Sequence, residues 1–304
     1  MNYLDFRKSF VRFDLRQSHD SCMDSDKPMS LNKNTGPTLP REACLPINRC
    51  NLPAVILGSL TFQRHPASLT IDGVEILHRD LLRRLEEIKD AGNRAQQFID
   101  YMAVHFRLHA PDEVGLDDGS RVDRSKSDYL RLLRGWSFDA ESRDAAVLKG
   151  WVESRFGLLP RFHQHAIHSS DDEAYQHYLH TYAQGLYNTN SLEAQLDLLF
   201  TYCQYELPRQ FPQQTHLPLY RGSNVIEQMQ QSTSSNSNKP VLLLNNLNSF
   251  SHSIERASEF GDIVFRIEVP LAKIFFYSEL IPHYLKAENE VIVLGGVYEG
   301  ERVM

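Results

Sequence analysis

The sequence predicts an α+β protein, helical through its middle and β-rich over its last third, and three patterns carry that prediction. Between His78 and Phe106 the apolar residues Leu81, Leu85, Ile88, Ala95, Phe98 and Met102 recur along one helix face. Further stretches with helical spacing follow around 127–135, 142–156 and 172–187. After about residue 207 the texture changes to short runs rich in β-branched and aromatic residues, such as D-I-V-F-R-I-E-V and A-K-I-F-F-Y, separated by turn residues.

Taken in order, residues 1–40 are rich in Ser, Asp, Asn and Lys without an apolar period, and predict a mobile N-terminal arm. The segment from Leu45 to Pro66 sets apolar residues between Pro46, Pro53 and Pro66, which predicts ordered but irregular structure. The stripe from His78 to Phe106 is one long helix, or two meeting near Gly92. Asn190 with Glu193 has capping-box spacing and predicts the start of a helix carrying Leu192, Leu196, Leu199 and Phe200. Strands are predicted over L-P-L-Y-R-G, P-V-L-L-L-N-N, the two runs above and E-V-I-V-L-G-G, with helices near 224–231 and 252–260. Residues 232–239 are a low-complexity loop. The division is thus an arm (1–40), a mainly helical region (41–206) and a β-rich core (207–304).

Composition narrows the function. With 304 residues, 41% hydrophobic and 23% charged, the chain is of globular type and can bury a substantial core. A formal charge of −7 gives no general attraction to phosphate backbones, so nucleic acid is not an expected partner. No apolar run approaches the roughly 20 residues that span a bilayer, and the start M-N-Y-L-D-F-R-K has no secretory core. The expected location is cytoplasmic, with Cys22, Cys44, Cys50 and Cys203 as reduced structural thiols.

Three motifs carry possible chemistry. In K-A-E-N-E-V-I-V-L-G-G, Glu288 and Glu290 share a side if the stretch is extended. Taken alone, such a pair is an ordinary solvated strand end. L-Y-R-G puts Arg221 in line with Leu217 and Leu219 on one strand face; by itself it is a surface arginine before a turn glycine, Gly222. Ser249-Phe250-Ser251 is followed by Ala257 and Phe260 in S-F-S-H-S-I-E-R-A-S-E-F-G, which also suits a plain cap and turn.

In the order arginine, serine, glutamate pair, these motifs resemble the R-S-E class of ADP-ribosyltransferases, whose last motif is E-x-E when the acceptor is arginine. The stretch from Leu45 to Pro66, with L-Y-R-G, N-S-F-S and E-F-G-D, is similar to the dinitrogenase reductase ADP-ribosyltransferases of nitrogen-fixing bacteria over about residues 40–304. The resemblance implies a split β-sheet core with the helical region packed on it. It implies NAD as co-substrate, an arginine of dinitrogenase reductase as acceptor, and control by a PII-type nitrogen-regulatory protein.

Breaking the nicotinamide–ribose bond builds positive charge on the sugar, which a fixed carboxylate stabilises most in the transition state. Glu290 is the candidate. A guanidinium acceptor needs a second carboxylate to orient it and take its proton, which suits Glu288. Arg221 can grip the dinucleotide phosphates with its planar fork. Gly222 would let the backbone approach the nicotinamide ring. By the resemblance, Ser249 positions Glu290, Ser251 supports the strand, and Phe250 or Phe260 packs near the nicotinamide. The family's central threonine is Phe250 here, so a hydroxyl is missing at that position.

Other chemistries find less support. His163, His165, His168, His177 and His180 lack zinc-site spacing and read as packing or surface residues, so no metal is expected. The acidic loop D-E-V-G-L-D-D-G does not follow the calcium-loop order. Neither a G-x-G-x-x-G nor a Walker A sequence occurs. The alternatives are an arginine-specific transferase or NAD glycohydrolase with another target, or an inactive binding protein that keeps the fold.

Overall fold

The computed structural model describes residues 38–108, 127–187, 189–224, 230–232, 239–281 and 290–304. Residues 1–37 of the N-terminal arm, the acidic loop, residues 233–238 of the low-complexity stretch and Glu288 lie outside them.

The helices come first. Short helices α1 (Ala54–Leu57), α2 (Leu60–Arg64) and α3 (Val74–Leu77) occupy the proline-punctuated segment and its continuation. The apolar stripe expected as one helix or two is two: α4 (Arg79–Glu87) and α5 (Ala91–His105). The break falls at residues 88–90, ahead of Gly92, because Asp90 caps α5 by accepting a hydrogen bond from the Asn93 amide at 2.8 Å. Arg94 donates to the carbonyls of Ile88 and Lys89, so the turn between the two helices is also satisfied.

Next come α6 (Tyr129–Phe138), α7 (Arg143–Phe156), the small hairpin β1 (Phe162–His163) with β2 (His165–Ala166), α8 (Glu173–Gly185) and α9 (Ser191–Gln210). Both α7 and α9 bury residues around most of their circumference, as helices at the centre of a protein do. The expected capping box at α9 is not formed. Asn190 makes no side-chain cap, and Thr189 Oγ1 accepts the Ser191 amide instead. Glu193 is engaged elsewhere: it accepts from the Tyr182 hydroxyl at 2.6 Å and pairs with Arg155 at 3.3 Å. A tertiary ion pair has displaced a local hydrogen bond.

The sheet follows. Strands β3 (His216–Ser223), β4 (Gln230–Ser232), β5 (Val241–Ser251), β6 (Ile263–Pro270), β7 (Ile274–Tyr277), β8 (Glu290–Glu299) and β9 (Glu301–Arg302) make one seven-stranded sheet. The order is β7-β8-β5-β3-β6-β9, with β4 on β5, and every pairing is antiparallel. Of the helix expected near 224–231, residues 225–229 lie outside the description, while Gln230–Ser232 are strand. The helix expected near 252–260 is α10 (Ile254–Ser258).

The sheet is joined unevenly. β3 registers with β6 from His216↔Pro270 to Ser223↔Ile263, and β5 with β8 from Val241↔Glu299 to Ser251↔Glu290. Between β3 and β5 the register is Tyr220↔Ser251 alone. The two halves therefore part beside that pair, and backbone edges open there into a cleft.

A bulge ties the sheet to the helices. Asn245 and Asn246 interrupt the β5–β8 register between Leu244 and Leu247. A side chain at the facing Gly295 would put its Cβ 1.7 Å from the Asn245 carbonyl. Asn246 Nδ2 donates to Lys149 and Leu158 carbonyls, and Asn245 holds the Arg161 amide and the Phe162 carbonyl. Rings finish the interface: Trp151 of α7 lies 4.8 Å from Phe275 of β7 and 5.5 Å from Phe156. Fully burying a ring such as Phe156, Phe200 or Phe275 contributes about 1.5–3 kcal/mol.

Candidate active site

The cleft beside Tyr220↔Ser251 has a volume of about 530 Å³. One wall is the end of β3 with α10, the floor is the end of β5 and the start of β8, and the other wall is the turn from α6 into α7.

Ser251 faces Glu290 across the β5–β8 ladder, so Ser249, two residues back, projects on the same side. Ser249 Oγ donates a hydrogen bond to Glu290 Oε1. Two residues of α6 complete the cluster. Trp136 Nε1 lies 2.8 Å from Ser249 Oγ and 3.0 Å from Glu290 Oε1, and Ser137 Oγ donates to Glu290 Oε2 at 2.6 Å. Neither was a candidate in the sequence. The helical pattern expected around 127–135 stops one residue short of Trp136, the helix in fact runs to Phe138, and nothing in the pattern aims an indole at a carboxylate.

Arg221 stands across the cleft floor from this cluster. Its Nη1 donates to the Ser249 carbonyl at 2.8 Å, and its guanidinium carbon is 5.8 Å from the centre of the Phe250 ring. Its buried Nε has no partner among the described residues. Burial lowers the guanidinium pKa to about 10, which leaves it cationic at neutral pH. An enclosed cation with an unmade hydrogen bond suits an anionic group entering the cleft, such as a dinucleotide phosphate.

The remaining candidates divide between fold and opening. Gly222 lines the cleft, but its lack of a side chain has a reason within the fold: a Cβ would sit 1.9 Å from the Ala257 carbonyl of α10. Ser251 Oγ accepts the Ser253 amide at 3.1 Å and so shapes the turn into α10. Ser253, not Ser249, is the cap of that helix. Phe250 is only 3% exposed, whereas Phe260 is 69% exposed at the rim.

The histidines do not converge. His163 is buried against Lys149 Nζ at 3.3 Å, and burial followed by the lysine charge lowers its pKa to about 4. His165, His168, His177 and His180 are exposed. Among the described residues no group of three or more His, Cys, Asp or Glu is placed to hold a metal ion. No described helix is long and apolar enough to cross a membrane.

Comparison with known proteins decides the family. The family model described as dinitrogenase reductase ADP-ribosyltransferase matches residues 47–302. The chain belongs to this family. One relative, the NAD(+)--dinitrogen-reductase ADP-D-ribosyltransferase of Rhodospirillum rubrum, is 37% identical over 259 residues, covering 83% of this chain and 92% of the relative. No solved structure gives a significant match. The helical region and the sheet both fall within the family match, so the α6 residues at the carboxylate belong to the shared length.

Proposed function

We propose that this chain transfers ADP-ribose from NAD to an arginine of dinitrogenase reductase and thereby switches nitrogen fixation off. The observation that carries the reading is the Ser249–Glu290 hydrogen bond in the same cleft as the under-partnered Arg221, in a member of this family. The relative's name, NAD(+)--dinitrogen-reductase ADP-D-ribosyltransferase, supports the substrate pair.

In this reading Arg221 binds the pyrophosphate and draws the nicotinamide ribose over Glu290. The bond between C1 of the ribose and the nicotinamide nitrogen breaks, nicotinamide leaves with the electron pair, and the Glu290 carboxylate stabilises the positive sugar. A guanidino nitrogen of the acceptor arginine then bonds to that carbon. Glu288 orients the guanidinium and takes the proton it loses. Phe260 lies against the nicotinamide at the rim, and Ser249 keeps Glu290 in place. The same reading includes a PII-type regulatory partner, supported by the family resemblance, and a cytoplasmic location.

The test uses the purified chain with NAD, with and without dinitrogenase reductase. Glu290→Gln is expected to lose both NAD cleavage and transfer by at least about 100-fold. Glu288→Gln is expected to lose arginine modification yet keep hydrolysis of NAD to nicotinamide, since water needs no orienting carboxylate. Near-normal cleavage by Glu290→Gln sinks the assignment. Equal loss of both activities in Glu288→Gln means the two glutamates act as a unit.

A further inference from the structure

The arginine, the serine and the glutamate of the motif all stand on the sheet, but Trp136 and Ser137 reach the same carboxylate from the helical region. They lie more than a hundred residues before it in the chain. We propose that Trp136 and Ser137 are positioning residues of the transfer reaction, whose N–H and O–H fix the plane of the Glu290 carboxylate beneath the nicotinamide ribose. The proposal rests on the transferase reading above and extends it from the sheet to helix α6.

The terminal torsion of a glutamate is broad and roughly two-fold, so a single hydrogen bond does not set the plane of its carboxylate. Here both oxygens are gripped, from different sides. Ser249 and Trp136 meet Oε1, and Ser137 meets Oε2. The indole N–H also reaches Ser249 Oγ at 2.8 Å. A tryptophan offers a donor and no acceptor, so it can hold a carboxylate but cannot accept its proton. Ordering of the carboxylate is thus completed during folding and not when positive charge appears on the sugar.

The helix that presents these groups is itself held, first at its opposite, N-terminal end. Asp128 Oδ1 caps α6 through the Leu130 amide at 2.9 Å, and Gln195 of α9 accepts the Tyr129 amide at 2.9 Å. Just beyond the helix, Lys149 Nζ donates to the Ala140 carbonyl at 2.7 Å and the Phe162 carbonyl at 3.0 Å, and it lies 5.9 Å from the Trp136 ring. The bulge residue Asn246 holds the Lys149 carbonyl in turn. A continuous set of bonds therefore runs from β5 through α7 to the turn after α6.

A core tryptophan that merely fills space would sit as deeply, so the test removes the N–H while keeping an aromatic ring, and pairs that change with the nearly isosteric loss of the Ser137 hydroxyl. On the full chain, Trp136→Phe and Ser137→Ala are compared with wild type, with Ser137→Thr as the rescue. NAD hydrolysis gives kcat and KM, calorimetry with a non-hydrolysable NAD analogue gives affinity, and thermal unfolding monitors the fold. Misplacing a reacting group costs up to about 100-fold, so kcat should fall toward that limit in both loss variants while KM and affinity stay within about twofold. Ser137→Thr should recover most of kcat. Adding Trp136→Phe to Glu290→Gln should cost little more than Glu290→Gln alone, because one group acts through the other.

A spectroscopic signature separates positioning from packing. The chain has 2 tryptophans, and the other indole N–H, that of Trp151, binds Asp197 Oδ1 at 2.7 Å. In nitrogen-15 spectra, Glu290→Gln should move the Trp136 indole signal and leave that of Trp151 in place. Normal kcat in both Trp136→Phe and Ser137→Ala, or additive losses in the double variant, would overturn the proposal. If Trp136→Phe does not fold, the Ser137 pair decides by the same criteria. If Glu290→Gln cleaves NAD like wild type, the transferase reading itself fails; if it is inert while the α6 variants are normal, only this inference does.

Discussion

Two arginines, a buried one in the helical region and a half-buried one in the sheet, are completed in opposite ways. Arg155 of α7 forks Asp197 through Nε at 2.7 Å and Nη2 at 2.9 Å, and reaches Glu193 through Nη1 at 3.3 Å. The carboxylates are bonded further, Asp197 by the Trp151 indole and Glu193 by the Tyr182 hydroxyl. Burial lowers the Arg155 pKa, but the Asp197 and Glu193 interactions outweigh it and the net shift is upward. Arg221 has a backbone carbonyl in place of a carboxylate, an Nε with no partner among the described residues, and burial that nothing opposes. The first cation is satisfied by the fold. The second is half-buried, with its enclosed Nε left short, which is how a protein prepares a place for an anion it does not itself supply.

The contrast predicts a double dissociation, and the largest effect is on the structural side. Arg155→Met strands Asp197 and Glu193 in the interior, and removing one partner of such a network costs about 3–5 kcal/mol. Urea unfolding should show that loss, while NAD affinity at a temperature where the variant is folded should match wild type. The same substitution at Arg221 removes a half-buried cation that no carboxylate holds and should cost at most about 1 kcal/mol of stability, or raise it. Comparable destabilisation by the two changes would mean that Arg221 is as structural as Arg155.

The functional side of the dissociation comes next in size. Arg221→Lys keeps a charge but loses the planar fork, and a charged hydrogen bond lost to a phosphate is worth about 10- to 100-fold in affinity. Calorimetry with the non-hydrolysable NAD analogue should show that drop, with the unfolding temperature nearly unchanged. Unchanged affinity would return Arg221 to a purely structural role. A stability loss without an affinity loss would reverse the comparison altogether.

What could be read from the chain follows the same line between local and distant interactions. The strands carrying Arg221 and Glu290 are legible because side-chain alternation and apolar runs are local signals, whereas the run expected to end at Asn246 continues through a bulge to Ser251 and carries Ser249, which only the family motif singles out. Adjacent strands then bring Ser249 to Glu290 through backbone pairing that the motif implies. Trp136 and Ser137 were illegible because their contact with Glu290 depends on how α6 docks on the sheet, and no periodicity encodes that. Asn190 and Glu193 failed for the converse reason: the capping spacing is present, but Arg155 and Tyr182 compete for Glu193 and win. At Gly222 the sequence shows no trace of the Ala257 carbonyl that bars a side chain there. In each case the missing information is a tertiary contact between elements.

The smallest expected effect repeats the contrast with aromatic rings. Phe250 and Phe260 were equal candidates for the nicotinamide, but Phe250 is 3% exposed beneath Arg221 while Phe260 is 69% exposed at the mouth of the cleft. A ring left in water at the edge of a cleft gains burial when a flat ligand covers it, and such aromatic contacts are worth about 0.5–1.5 kcal/mol. Phe260→Ala should therefore weaken binding of the NAD analogue by roughly 2- to 12-fold. Its unfolding temperature should stay at the wild-type value, since an exposed side chain contributes little to the folded state. Nicotinamide alone should show the same loss if the ring covers that end of the dinucleotide, whereas ADP-ribose should bind the variant normally. If ADP-ribose binding falls and nicotinamide binding does not, Phe260 lies against the adenosine half, and the dinucleotide runs through the cleft in the opposite direction.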